Sequence, residues 1–315
     1  MTPSVSLRHA RHLFYVFRLL LRRAAREFGA NDPLRLGAAT AFFTTFALPP
    51  IVIILIQALG YLYSASQVRL LLLTKLSHLL GSPAAGLVEQ ILRNVTDVER
   101  SRLVSWLGFG FLLFIATTLF GVIQHSLNQL WQVRVRPSTG HFQTVLKERA
   151  RSLGLLLATG LLSLLAFLSD AALGFVAHYT GLLDATFSSL VLEVGNQVFS
   201  LLILTGWCGV TFRNLSSAKV PRKAVWPGAL LTAVLISLGK NALSLLLVPR
   251  NLGPIYGPAS SIVLVLLFVF YSAMIFYFGA CFTKAYAHHV GLDIRPKKSA
   301  VRYKLVDVVE QEETV

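Results

Sequence analysis

The stretch from Leu36 to Tyr63, LGAATAFFTTFALPPIVIILIQALGYLY, runs without a charged side chain and holds a proline pair, Pro49-Pro50, near its centre. As a helix it would reach about 42 Å, more than the roughly 30 Å of a bilayer's hydrocarbon core. Two adjacent prolines would end a soluble helix. In a bilayer, neighbouring helices and hydroxyl side chains can satisfy the freed carbonyls, so the pair reads as a kink. Gly37, Ala38, Ala39, Thr40, Thr44 and Thr45 precede it and suit close helix contact. The expectation is a broken transmembrane helix packed against others.

Further apolar runs follow at about 104–132, 152–179, 185–212, 225–248 and 259–287. A 315-residue chain that is 55% hydrophobic and 14% charged suits one polytopic membrane domain. The expected fold class is all-α, with six transmembrane helices in a domain over 36–287. Residues 1–35 carry Arg8, Arg11, Arg18, Arg22, Arg23, Arg26 and Arg35 around apolar positions at helical spacing. This predicts an amphipathic helix on an anionic membrane surface, ending near Gly29. The segment 64–103, broken at Gly81-Ser82-Pro83, predicts amphipathic outer-face helices. The tail 288–315 turns acidic from Asp307 and is expected to be partly disordered.

Placement of the 29 Lys and Arg explains the +15 net charge. They gather in 1–35, in 134–151, in 213–223 and from Lys284 to Lys304, whereas 180–184 holds none and 249–258 only Arg250; the longer segment 64–103 holds five, offset by Glu89, Asp97 and Glu99, and long segments obey the rule less strictly. The pattern predicts N-in, C-in topology. The basic excess is a topology and headgroup signal, and no nucleic-acid module accompanies it. The two cysteines, Cys208 and Cys281, sit in apolar runs and form no disulfide framework.

Charges at membrane depth are costly and mark candidate sites. Asp170, Glu193 and Lys240 lie roughly 10–15 Å below the outer surface by residue count, with Asn196, Gln197 and Asn241 near them in sequence. They read either as a structural ion pair that fixes helix register or as a substrate or proton pathway. Gly121, Gln124, His125 and Asn128 recur at helical spacing on the second span. They would supply interhelical hydrogen bonds or line an inward-facing cavity. Ser272, Gly279 and Thr283 form a packing seam on the last span, and Pro221 and Pro227 punctuate the start of the fifth. His288-His289 reads as a solvated helix end. No metal site, cofactor motif or enzyme signature is present in the sequence.

Four stretches in order resemble the YihY/BrkB family of bacterial inner-membrane proteins, historically mislabelled ribonuclease BN. They are Ala39-Thr40-Ala41-Phe42-Phe43 through Leu48-Pro49-Pro50; Ser126-Leu127-Asn128-Gln129-Leu130-Trp131; Thr211-Phe212-Arg213-Asn214-Leu215 on to Trp226-Pro227-Gly228 and Leu238-Gly239-Lys240; and Tyr256-Gly257-Pro258 on to Gly279-Ala280-Cys281-Phe282-Thr283-Lys284. The resemblance covers about Arg26 to Gly291. It implies a six-helix fold in the inner membrane and a transport or lipid-handling role without a settled substrate. Two departures stand out. Cys281 replaces the family's usual Glu, and Leu215-Ser216-Ser217 replaces Leu-Pro-Asp.

The expected function is an inner-membrane transporter or translocator of lipid or another anionic substrate. Arg149 and Arg151 would hold anionic headgroups, and Pro49-Pro50 would line the pathway. The alternative is a non-transporting scaffold for envelope partners. Expected partners are membrane lipids and an anionic lipid or small molecule.

Overall fold

The computed structural model describes residues 4–60, 102–136, 185–247 and 260–304, together with positions 89 and 154. Six helices are described: α1 (Ser4–Gly29), α2 (Pro33–Gly60), α3 (Arg102–Leu130), α4 (Ala185–Asn214), α5 (Arg222–Leu247) and α6 (Ser260–His289). The chain is mostly helical, and the first, second, fourth, fifth and sixth expected spans fall on α2 to α6. The third span and the segment 64–103 lie outside the described residues, as does the tail beyond 304. Among the described residues, Ile262–His289 is long and apolar enough to cross a membrane.

Local chemistry sets the helix ends. Asn31 Nδ2 donates to the Glu27 carbonyl at 2.7 Å and so closes the last turn of α1. Asp32 then takes a left-handed φ of 50°, tolerable for a short polar side chain. Pro33 follows at the first position of α2, where its missing N–H is no loss. The fifth helix corrects the sequence reading. It begins at Arg222, so Pro227 lies inside it rather than at its start. Pro221 does the punctuating, its carbonyl accepting from the N–H groups of Ala224 and Val225. The broken helix expected at Pro49-Pro50 is corrected too: α2 runs uninterrupted from Pro33 to Gly60 through both prolines, whose side chains lie outside the described residues.

Helix α6 is the hub, packing on α1, α2, α3 and α5, while α2 also packs on α3 and α4 on α5. Its closest partnership is with α5. A Cβ placed on Gly228 would collide with the Thr283 hydroxyl, and one placed on Gly279 would collide with the Thr232 hydroxyl. The motif Gly-x-x-x-Thr thus occurs once on each helix, and the two copies interlock antiparallel. Each threonine donates to the carbonyl of its own glycine, Thr232 to Gly228 at 2.7 Å and Thr283 to Gly279 at 2.9 Å. No polar group is stranded by the close approach. Two turns further on, Gly239 leaves room for the Tyr271 ring, and Gly37 of α2 sits against Met274 and Phe270. Small residues here let backbones meet, as membrane helices require in the absence of a hydrophobic drive between them.

Helix α1 lies across α6. Phe17 meets Phe282 edge-on at 6.0 Å, and Phe28 meets Phe278 at 5.8 Å. About 16 Å along α1 therefore maps onto about 6 Å along α6, a steep crossing. Its exposed side carries Phe14, Arg18, Arg22 and Arg26, as an interfacial helix needs.

The all-helical expectation omits four short strands. β1 (Val133–Val135) pairs antiparallel with β4 (Ala300–Arg302), and β2 (Ala218–Lys219) with β3 (Arg295–Pro296). Both ribbons tie the segment after α6 to the chain that leaves α3 and α4. Elements of two or three residues are below what alternating hydrophobicity can signal.

The interlock makes a graded prediction. Gly279→Ala should lower stability in detergent by about 1–3 kcal/mol, the usual effect of overpacking. Adding Thr232→Ala, which removes the nearest obstructing atom, should return part of the loss in a thermal unfolding assay.

Candidate functional site

The polar strip expected on the second span, now α3, divides into two. Gln124 and Asn128, one turn apart, are buried against the turn after α4. Asn128 Oδ1 accepts from Ser216 Oγ at 2.9 Å and from the Ser217 N–H at 2.8 Å, and its Nδ2 donates to Ser217 Oγ at 3.4 Å. Gln124 Nε2 reaches Ser217 Oγ at 3.5 Å. Lys297 donates from Nζ to the carbonyls of Asn214 and Ser216, at 3.3 and 2.6 Å, and its N–H to the Ser217 carbonyl. A cation so placed satisfies open carbonyls at the C-terminus of α4. Gly121 and His125 are exposed. The amides and the histidine thus face different surroundings.

A second polar centre was missed by the sequence reading, which counted Lys284 among the tail cations. Lys284 is the buried charged residue among the described residues. Its Nζ donates to Glu27 Oε2 of α1 at 2.7 Å and to the Leu130 carbonyl at the end of α3 at 3.2 Å. Its side chain is 8% exposed against 43% for Glu27. Water therefore screens the pair, which is worth on the order of 1 kcal/mol rather than the several of a dry one. Beside it, Trp131 Nε1 donates to the Ala280 carbonyl at 3.3 Å. The Tyr277 hydroxyl joins α2, α3 and α6 through Thr40, at 2.5 Å, and Ser126. A signal for Lys284 was present: it is the sole Lys, Arg, Asp or Glu between Asn251 and Ala287. Its neighbour Cys281, where the resembling family carries Glu, is buried.

The third feature is an apolar groove of about 380 Å³ between α1, α5 and α6. Val16, Phe17 and Leu20 form one wall, Pro227, Leu230, Leu231 and Val234 another, and Phe282 and Tyr286 the floor. Phe17 and Leu230 are both exposed, so the groove opens sideways from the bundle rather than along its axis. Its size lies within the range of small-molecule pockets.

The other expected site residues are not brought together by described contacts. Gln197 is exposed on α4. Glu193 and Asn196 are on α4 and Lys240 and Asn241 on α5, but their side chains lie outside the described residues. Asp170, Arg149 and Arg151 lie outside them altogether. Among the described residues no three metal-ligating side chains gather.

A family model described as virulence factor BrkB matches residues 24–304. The chain is also similar to a UPF0761 membrane protein of Azotobacter vinelandii, 31% identical over 204 residues, covering 63% of this chain and 46% of that protein. One from Pseudomonas aeruginosa is 25% identical over 263 residues, 82% of this chain and 60% of the relative. Another, from Chromohalobacter salexigens, is 29% identical over 274 residues, 82% and 61% respectively. The chain therefore spans about half to three fifths of these relatives. No solved structure matches it.

Removing one partner of a pair leaves the other uncompensated. Glu27→Ala should loosen α1 and speed tryptic cleavage at its exposed arginines, and adding Lys284→Met should slow cleavage again. Asn128→Ala leaves the Ser217 N–H and Ser216 hydroxyl without their acceptor. It should cost about 1–3 kcal/mol, with faster amide exchange confined to 215–219.

Proposed function

The chain belongs to the virulence factor BrkB family of membrane proteins, and from that premise we propose that it moves lipid across the bacterial inner membrane. The observation that supports this reading is the sideways-opening apolar groove bounded by an arginine-rich helix lying across the bundle. A water-soluble substrate would call for polar walls facing an aqueous vestibule. An amphiphile needs what the groove offers, an apolar slot reached from the bilayer with cations near the surface.

On this reading the bundle has six spans with both ends in the cytoplasm, and α1 lies on the inner leaflet. Asp170, Glu193 and Lys240 give the pathway its polar level, with Asn196 and Asn241 to complete their hydrogen bonding, while Gln197, exposed on α4, stands outside it. Arg149 and Arg151 attract anionic headgroups, and Pro49-Pro50, lacking N–H groups, leave carbonyls of α2 open along the route. His125, exposed on α3, lies to the side of the buried amides of Gln124 and Asn128, which serve the architecture.

Reconstitution tests the proposal. Proteoliposomes carrying a headgroup-labelled phosphatidylglycerol should show faster loss of inner-leaflet label to an added membrane-impermeant reductant than empty vesicles once translocation is allowed. Lys240→Met should slow that loss at least tenfold while the protein stays folded. Equal rates with and without protein would sink translocation and leave the chain a membrane scaffold.

A further inference from the structure

We propose that the two ribbons at the end of the bundle form a basic platform whose occupant is the chain's own acidic segment, Asp307 to Glu313. This contact is independent of the apolar groove and of lipid transport.

The platform is built by strand pairing. β1 buries Val133 and exposes Arg134, β2 buries Ala218 and exposes Lys219, and Arg295 is exposed on β3. Lys219 stands directly opposite Arg295 in the antiparallel pair. Like charges so placed repel each other. The turn between β3 and β4 draws the two ribbons together: the Lys297 N–H donates to the Ser217 carbonyl and the Arg136 N–H to the Ser299 carbonyl, both at 2.9 Å. Arg136 and Lys298 are exposed at that junction.

Lys297 itself is spent on the carbonyls of Asn214 and Ser216. Its neighbours Arg134, Arg136, Lys219, Arg295 and Lys298 form no salt bridge and no side-chain hydrogen bond among the described residues. Asp293 is the one carboxylate within 130–136, 213–223 and 291–304. So concentrated a positive field attracts an anion that carries several charges.

Charge and connectivity together name that anion. Asp307, Glu310, Glu312 and Glu313 follow the second ribbon strand with no cation among them. Extended chain from Lys304 carries them about 10 to 30 Å from it. Arg134 pairs with Val301, about 10 Å before Lys304 along β4, and the turn and the second ribbon adjoin it. The platform therefore lies within the segment's span. A tethered anion acts at an effective concentration of about millimolar, against which a free one has to compete.

The test uses the full chain in mild detergent at low salt, with heavy- and light-isotope protein mixed. Zero-length carbodiimide coupling, read by peptide mass spectrometry, should join Glu310, Glu312 or Glu313 to Lys219 and Lys298 within one chain. Arg136→Gln with Arg295→Gln should lower the Lys219 link at least fivefold, while Arg136→Lys with Arg295→Lys keeps it and shows that charge rather than fold is being read. Arg18→Gln, on the exposed side of α1, should leave it unchanged. A fluorescent peptide copying residues 305–315 should bind about tenfold more tightly to a variant carrying Asp307→Asn, Glu310→Gln, Glu312→Gln and Glu313→Gln than to wild type.

Links only between heavy and light chains would overturn the docking in favour of a second copy. Equal peptide binding by wild type and the neutralised variant, or a Lys219 link that survives loss of both arginines, would overturn it in favour of an external anion.

Discussion

Everything in the bundle is positioned by the contact between α5 and α6, where two glycines accept two threonines across a single crossing. Because each hydroxyl bonds back to the carbonyl of its own helix, the surfaces meet without an unsatisfied donor. The contact is also directional, since a Gly-x-x-x-Thr copy on each helix matches its counterpart only when the helices run antiparallel. With that distance fixed, Phe282 and Tyr286 are held beside Pro227, Leu230 and Leu231, and the groove between the helices keeps its width. α1 then lies over one edge of that groove and closes its third side.

Much of this was legible in the residues. Long uncharged runs located the helices because bilayer thickness imposes a minimum length, and Gly29 to Pro33 carried its turn in plain chemistry. Tertiary relations were less visible. Gln124 and His125 are adjacent, and helical spacing alone could not say which would be buried. The turn at Ser216-Ser217 decided it. Lys284 looked like one more cation of the tail because its burial comes from α1 crossing over it, and no periodicity within α6 announces that. The strands escaped notice because pairs such as Ala218–Lys219 with Arg295–Pro296 are held by the helices that end beside them, not by any strand propensity of their own.

The two centres divide the work. At the ends of α3, α4 and α6, polar side chains are spent on closing loops, with Asn128, Lys297 and Lys284 each serving carbonyls or N–H groups that helices leave open. Such groups hold shape and are poor candidates for handling a substrate. The groove is the opposite case. Its walls are hydrocarbon and aromatic side chains from three helices, so its form is set by their packing.

The ribbons that bind the segment after α6 to the loops beyond α3 and α4 have a mechanical meaning. They pin three helix ends together on one side of the bundle, so relative movement of those helices has a fulcrum there. A helix of about 28 residues is a lever about 42 Å long, and a tilt of about 5° at a pinned end displaces its other end by about 4 Å. Any tilt of these helices about the pinned side would therefore be felt most at the opposite one.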